Sequence, residues 1–266
     1  MEPPDKPGNA AQLASSSFRL PALDQDFILG DSTRGVRFLL EYQKAEEALR
    51  AHAIMSTIVV FGSARFRPEM GGERARWYEQ ARLFGAIASK HGGARDQATE
   101  RHNVIATGGG PGIMEAANRG AHDVGAHSIG FNITLPKEQV PNPYTTPDLT
   151  FRFHYFAMRK MHLAMRASAL VVFPGGFGTC DELFEILTLR QTAKMRPIPV
   201  VLATKAYWTS VINFEAMIAA GTIDRRELDG FAFADDAEQI WAALVAGGLQ
   251  APLFSDPAQA PGADGG

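Results

Sequence analysis

With 266 residues, 45% of them hydrophobic, the chain can bury a full core and reads as one domain of ordinary size with appendages. A net charge of −3 and a pI near 6.2 offer no basic face for nucleic acid, and no apolar run reaches the roughly 18–20 residues that span a bilayer. The lone cysteine, Cys180, excludes an internal disulfide and fits a reducing cytoplasm, which is the expected compartment.

In chain order, residues 1–20 are rich in Pro, Ala, Ser and Gly and lack the basic and apolar regions of a secretory signal, so a disordered tail is expected. Residues 21–54 form a helical extension. Within it, Val36, Leu39, Leu40, Tyr42, Ala45 and Leu49 recur at helical intervals over 32–53, an amphipathic helix that packs on the core or on a partner subunit. From 55 to 247 strands and helices alternate. Strand 57–61 leads to helix 74–90 and a charged loop at 92–102. Strand 103–107 and its helix come next, then strand 127–132 and a proline-rich loop at 135–147. The second half runs as strand 149–154, helix 156–166, strand 169–173, helix 181–192, strand 198–203, helix 207–220, strand 231–234 and helix 237–245. Alternation of this kind predicts an α/β fold, a doubly wound parallel sheet with helices on both faces. Residues 248–266 are expected to be a flexible tail.

Two strands end in glycine-rich turns. Strand 103–107 runs into Gly108-Gly109-Gly110-Pro111-Gly112, and Pro111 suits the first position of the helix that follows. Strand 169–173 runs into Pro174-Gly175-Gly176-Phe177-Gly178-Thr179. Bare backbone N–H groups and a helix N-terminus make such a turn an anion site. In a parallel sheet both turns fall at the same carboxyl edge, where ligands of such folds bind. Close strand–helix packing is the rival reading of either turn alone. Neither is a Walker A loop, since no GKS or GKT follows, and neither has GxGxxG spacing. A third turn, Gly62-Ser63-Ala64-Arg65, brings a small-residue loop and a cation to the same edge, or is an ordinary turn.

Asp181 and Glu182 follow the second cluster, in what the spacing takes for the first turn of helix 181–192. A carboxylate repels a phosphate beside it, so its presence makes sense if it acts on another part of the same ligand. The rival is an acid placed to suit the helix dipole. Arg159 and Lys160 stand near the start of helix 156–166 against that helix's dipole, which points to a nearby anion or to a solvated basic turn. Thr179 offers a hydroxyl to phosphate. Glu115 and Asn118 reach ribose or base, or cap the helix. Met158 and Phe177 sandwich a base or pack in the core. His154 reads as structural and Cys180 as a filler rather than a nucleophile. No metal-ligand spacing is found.

The order and spacing of GGGPGIMEAANRGA (108–121), MRK (158–160) and PGGFGTCDE (174–182) resemble the signature of the LOG (Lonely Guy) phosphoribohydrolases, long labelled lysine decarboxylase-like, over about residues 55–245. The resemblance implies a Rossmann-like fold, a homodimer whose sites share residues, and hydrolysis of the N-glycosidic bond of a nucleoside 5′-monophosphate, AMP or a cytokinin riboside monophosphate, without a cofactor. Carried over, it makes Arg159 and Glu182 catalytic. It assigns Gly109, Gly110, Gly112, Lys160, Gly175, Gly176, Gly178 and Thr179 to substrate, to which the reading of the residues themselves adds Ser63, Glu115, Met158 and Asp181. The long N-terminal extension departs from the family pattern. The alternative is a carrier for a phosphorylated ligand such as molybdenum cofactor, which would not need the Arg159/Glu182 pair.

Overall fold

The computed structural model describes residues 8–95, 99–135 and 140–251. Residues 1–7 and 252–266, which belong to the two expected tails, and parts of the loops at 92–102 and 135–147 lie outside them. The chain divides into two compact units at Lys44/Ala45. The first contains α1 (Ala10–Ala14), α2 (Gln25–Leu29) and most of α3 (Arg34–Ala51). Asp24 caps α2 by accepting from the Phe27 amide, and Arg37 donates to the Ile28 and Gly30 carbonyls.

The second unit carries the alternating elements. These are β1 (Thr57–Phe61), α4 (Gly72–His91), β2 (Val104–Thr107), α5 (Ile113–Asp123), β3 (Ser128–Ile133), β4 (Thr150–Phe153), α6 (Phe156–Met165), β5 (Ala167–Val172) and α7 (Phe177–Gln191). They continue with β6 (Val200–Ala203), α8 (Lys205–Val211), α9 (Phe214–Ala219), β7 (Ala232–Ala234) and α10 (Ala237–Ala246). All seven strands of the sheet pair in parallel, in the order β4-β3-β2-β1-β5-β6-β7. This is the expected doubly wound fold. The expected helix 207–220 is two helices, because Asn213 leaves the helical conformation and its side chain caps α9 by accepting from the Ala216 amide.

Strand burial follows from the two-sided cover. Along β1, Ile58 and Val60 enter the core beneath α4, α5 and α10, while Val59 and Phe61 enter the core beneath α6 to α9. Every residue of β1 is buried, so the strand reads as a continuous apolar run rather than an alternating one. The winding reverses between β1 and β5. A crevice opens at such a reversal, outside the carboxyl ends of the strands. The turns after β1 and β5 flank it, and the turn after β2 is one strand away.

Candidate active site

Main-chain hydrogen bonds tie the three turns together. The Ser63 amide donates to the Pro174 carbonyl at 3.0 Å, and the Ser63 carbonyl accepts from the Ile113 amide at 3.1 Å. Ser63 thus joins the end of β1 to the glycine turn after β5 and to the start of α5. Close approach at this junction needs glycine. Gly112 has φ +76°, and a Cβ there would strike the Ser63 carbonyl and the Ala64 backbone. The turn after β2 is braced from below: Thr107 Oγ1 accepts from the Gly109 amide and donates to Asn118 Oδ1, while Asn142 Nδ2 donates to the Gly110 carbonyl. Pro111 does not open the helix. Gly112 is the N-cap and α5 starts at Ile113.

In the turn after β5, a Cβ on Gly175 would collide with Thr179 Oγ1, so the loop folds tightly over a buried threonine. Gly176, Phe177 and Gly178 face outward, Phe177 with 96% of its surface exposed. α7 starts at Phe177, four residues before its apolar spacing becomes visible at 181. Asp181 and Glu182 therefore lie in its second turn rather than its first. The dipole effect fades within the first turn, so it gives a weak account of Glu182.

Glu182 is 3% exposed and receives a hydrogen bond from Arg159 Nη2. Burial pushes its carboxyl above the ordinary glutamate value, and the Arg159 and Lys160 charges pull the other way. The Arg159 side chain is 12% exposed, so the pair lies largely out of water, and a carboxylate perturbed in this way is a candidate functional group. The Phe156 ring lies beneath Arg159, 5.1 Å from ring centroid to guanidinium carbon, and is itself half exposed. Lys160 Nζ sits between two α7 carboxylates, 2.7 Å from Asp181 and 2.9 Å from Glu185. Burial lowers the Lys160 ammonium, but these two partners outweigh it and hold the group above its ordinary value.

The structure thus brings Arg159, Lys160, Asp181 and Glu182 together between α6 and α7. Glu182 stands six residues beyond Gly176, about 9 Å along the helix at 1.5 Å per residue, a distance that a sugar phosphate spans. Other sequence-predicted residues are engaged elsewhere. Glu115 accepts a hydrogen bond from the buried Tyr78 hydroxyl at 2.9 Å, and Met158 packs against the core. Asn118, buried, links Thr107 to Asn142. Burial raises the Cys180 thiol, which makes it a poor nucleophile. The cavity behind Glu182, about 10 Å³, is too small for a ligand. A cavity of about 500 Å³ lies elsewhere, between the C-terminal half of α7 and α9, and none of the sequence-predicted site residues lines it. Among the described residues no group of three or more His, Cys, Asp or Glu is placed to hold a metal, and no helix is long and apolar enough to cross a membrane.

Residues 114–244, which include Arg159 and Glu182, match the family model described as possible lysine decarboxylase. The chain is 28% identical to the probable cytokinin riboside 5′-monophosphate phosphoribohydrolase LOG4 of Oryza sativa subsp. japonica over 153 residues, 56% of this chain and 65% of that protein. It is 30% identical to the cytokinin riboside 5′-monophosphate phosphoribohydrolase LOG4 of Arabidopsis thaliana over 141 residues, 52% of this chain and 60% of that protein. The chain is thus similar in sequence to the LOG phosphoribohydrolases. It spans somewhat less than two thirds of these LOG relatives. The solved structure of TM1055, a structural genomics target, covers 72% of this chain with a TM-score of 0.52 at 22% identity, and bears on the fold.

Sequence reasoning missed Tyr78, Asn142 and Phe156. Asn142 lies in the proline-rich loop and Tyr78 in mid-helix, where local pattern carries no sign of a partner 24 to 37 residues away. Phe156 had a local signal: it precedes Arg159 by three residues on one helix face.

Proposed function

We propose that this protein hydrolyses the N-glycosidic bond of a nucleoside 5′-monophosphate, AMP or a cytokinin riboside monophosphate, to the free base and ribose 5-phosphate. The observation that carries the reading is the buried Glu182 carboxylate paired with Arg159 beside a glycine turn that opens a helix. In this reading the amides of Gly176, Phe177 and Gly178, which have no acceptor within their own helix, hold the 5′-phosphate. The sugar then lies along α7 toward Glu182. As the bond from the anomeric carbon to the base nitrogen breaks, positive charge grows on the sugar, and the fixed carboxylate stabilises it. Water adds to the anomeric carbon and gives a proton to Glu182; the base, which leaves with the electron pair of the broken bond, takes a proton from solvent water, and Glu182 returns its own to solvent. Arg159 orients that carboxylate; its guanidinium is too weak an acid to protonate the leaving base.

Lys160 speaks against amino-acid decarboxylation through a Schiff base. That chemistry wants a lysine with a depressed pKa, whereas two carboxylates hold this one up. In the proposed reading Lys160 fixes α7 against α6. The active form is a homodimer, a reading supported by the half-exposed Phe156 and the exposed Phe177 beside the site; light scattering on the assayed sample should give twice the chain mass.

AMP and adenosine assayed side by side, with adenine followed by chromatography, test the reading directly. AMP is expected to react at least about 100-fold faster in kcat/KM, the worth of two or three charge-assisted hydrogen bonds to phosphate. Equal rates would remove the phosphate assignment, and no adenine from either would favour a carrier. The pH profile gives a second test. Glu182 works as the anion, so activity falls as pH drops through its pKa. Burial raises that value above the ordinary 4.5, and the acidic limb of kcat/KM should lie above pH 4.5. A limb at or below it would mean that Glu182 is solvated in the working enzyme.

A further inference from the structure

We propose that Tyr207 is a positioning residue of the phosphate site, holding the Gly175–Gly176 peptide in the one orientation that presents its N–H to an anion. The inference rests on the phosphate reading of the turn after β5. Tyr207 Oη donates a 2.7 Å hydrogen bond to the Gly175 carbonyl, from α8 and 32 residues along the chain. In a trans peptide the carbonyl of one residue and the N–H of the next point in opposite directions. Turning the Gly175 oxygen toward Tyr207 therefore turns the Gly176 N–H the other way, on the outward-facing side of the turn. Released from Tyr207, two glycines in succession rotate easily, and a carbonyl oxygen could then face the anion in place of a donor.

Tyr207 is placed firmly enough for this task. Its ring meets Trp77 of α4 edge-on at 5.9 Å and Trp208 at 5.1 Å. Trp208 is fully buried and its indole N–H donates to the Val172 carbonyl at the end of β5. Two consecutive residues of α8 thus hold the last carbonyl of β5 and the second residue of the turn that follows it. The turn is also constrained from within, since Gly175 leaves no room for a side chain over Thr179. Trp77 in turn packs on Phe66 at 5.2 Å, just beyond the turn after β1. The aromatic row therefore braces two of the three turns of the site. Burial, and not an ionic partner, is the first cause that raises the Tyr207 hydroxyl, so it remains a donor through the physiological range.

Tyr207→Phe keeps the ring contacts and deletes only the donor. Ribose 5-phosphate and ribose are titrated into both proteins by calorimetry, and AMP and adenosine are assayed, with circular dichroism confirming the fold. The variant is expected to bind ribose 5-phosphate about five- to tenfold more weakly, the net worth of one hydrogen bond. KM for AMP should rise by a similar factor with kcat nearly unchanged, and adenosine should react as before. Unchanged affinity, or an equal loss for phosphorylated and unphosphorylated ligands, would overturn the role of Tyr207. If the parent protein binds ribose 5-phosphate but releases no base, the hydrolase reading fails while the test of Tyr207 stands. A parent that does not distinguish ribose 5-phosphate from ribose would overturn both.

Discussion

Glu182→Gln is expected to lower adenine release from AMP by at least about 10²- to 10³-fold, the range seen when a preorganised electrostatic group is lost. Glutamine has nearly the shape of glutamate and can still accept from Arg159, so the contact between α6 and α7 should persist. What it lacks is the negative charge, and with it both the stabilisation of the sugar cation and the acceptor for the water proton. Ribose 5-phosphate should bind the variant within about threefold of the parent, because its phosphate is held by the turn and not by this side chain. The measurement is base release under saturating AMP, together with a binding isotherm. Undiminished release would mean that the buried pair is structural and that another group carries the chemistry.

The rationale depends on where the carboxylate sits. A glutamate with this neighbour on an exposed helix face would be an ordinary surface ion pair, contributing little and reacting with nothing. Here the side chain is withdrawn from water, its charge is opposed by burial, and its partner is held by an aromatic ring. Catalytic acids and bases commonly owe their perturbed pKa values to such surroundings.

Much of this placement was legible in the sequence, for a physical reason. Strands 57–61 and 103–107 are short apolar runs that end at glycine, and in a parallel sheet every such end lies on the same edge; the three turns were therefore bound to meet. The start of α7 was not legible, because Phe177-Gly178-Thr179 has no apolar periodicity and its first two residues are exposed. That gap moved Asp181 and Glu182 by a full turn. Nor could composition reveal the occupations of Lys160 and Glu115. Lys160 reads as a substrate cation, and the structure sets Asp181 and Glu185 around it; Glu115 reads as a ribose or base ligand or a cap, and the structure gives it the Tyr78 hydroxyl, 37 residues upstream. Charges disclose their sign in a sequence, whereas their partners are a property of packing.

Gly112→Ala should be the most damaging small substitution in the chain's turns. The residue holds φ +76° and ψ −131°, close to a region that is almost glycine-only, at a cost of about 1–3 kcal/mol for any side chain. The added Cβ would also press into the Ser63 carbonyl and the Ala64 backbone, and overpacking against main chain adds about 1–3 kcal/mol. A loss of roughly 2–6 kcal/mol follows, which for a domain of about 200 residues lowers Tm by about 5–20 °C. Gly176→Ala is the matching control: its φ is −93° and a Cβ there meets nothing within 4 Å. That variant should unfold within about 2 °C of the parent. Thermal unfolding of both, followed by circular dichroism, separates the two positions. Ser63 bonds to Pro174 on one side and to Ile113 on the other, so strain at Gly112 has no soft direction in which to relax. Parent-like stability for Gly112→Ala would show that the three turns are tied less rigidly than these hydrogen bonds require.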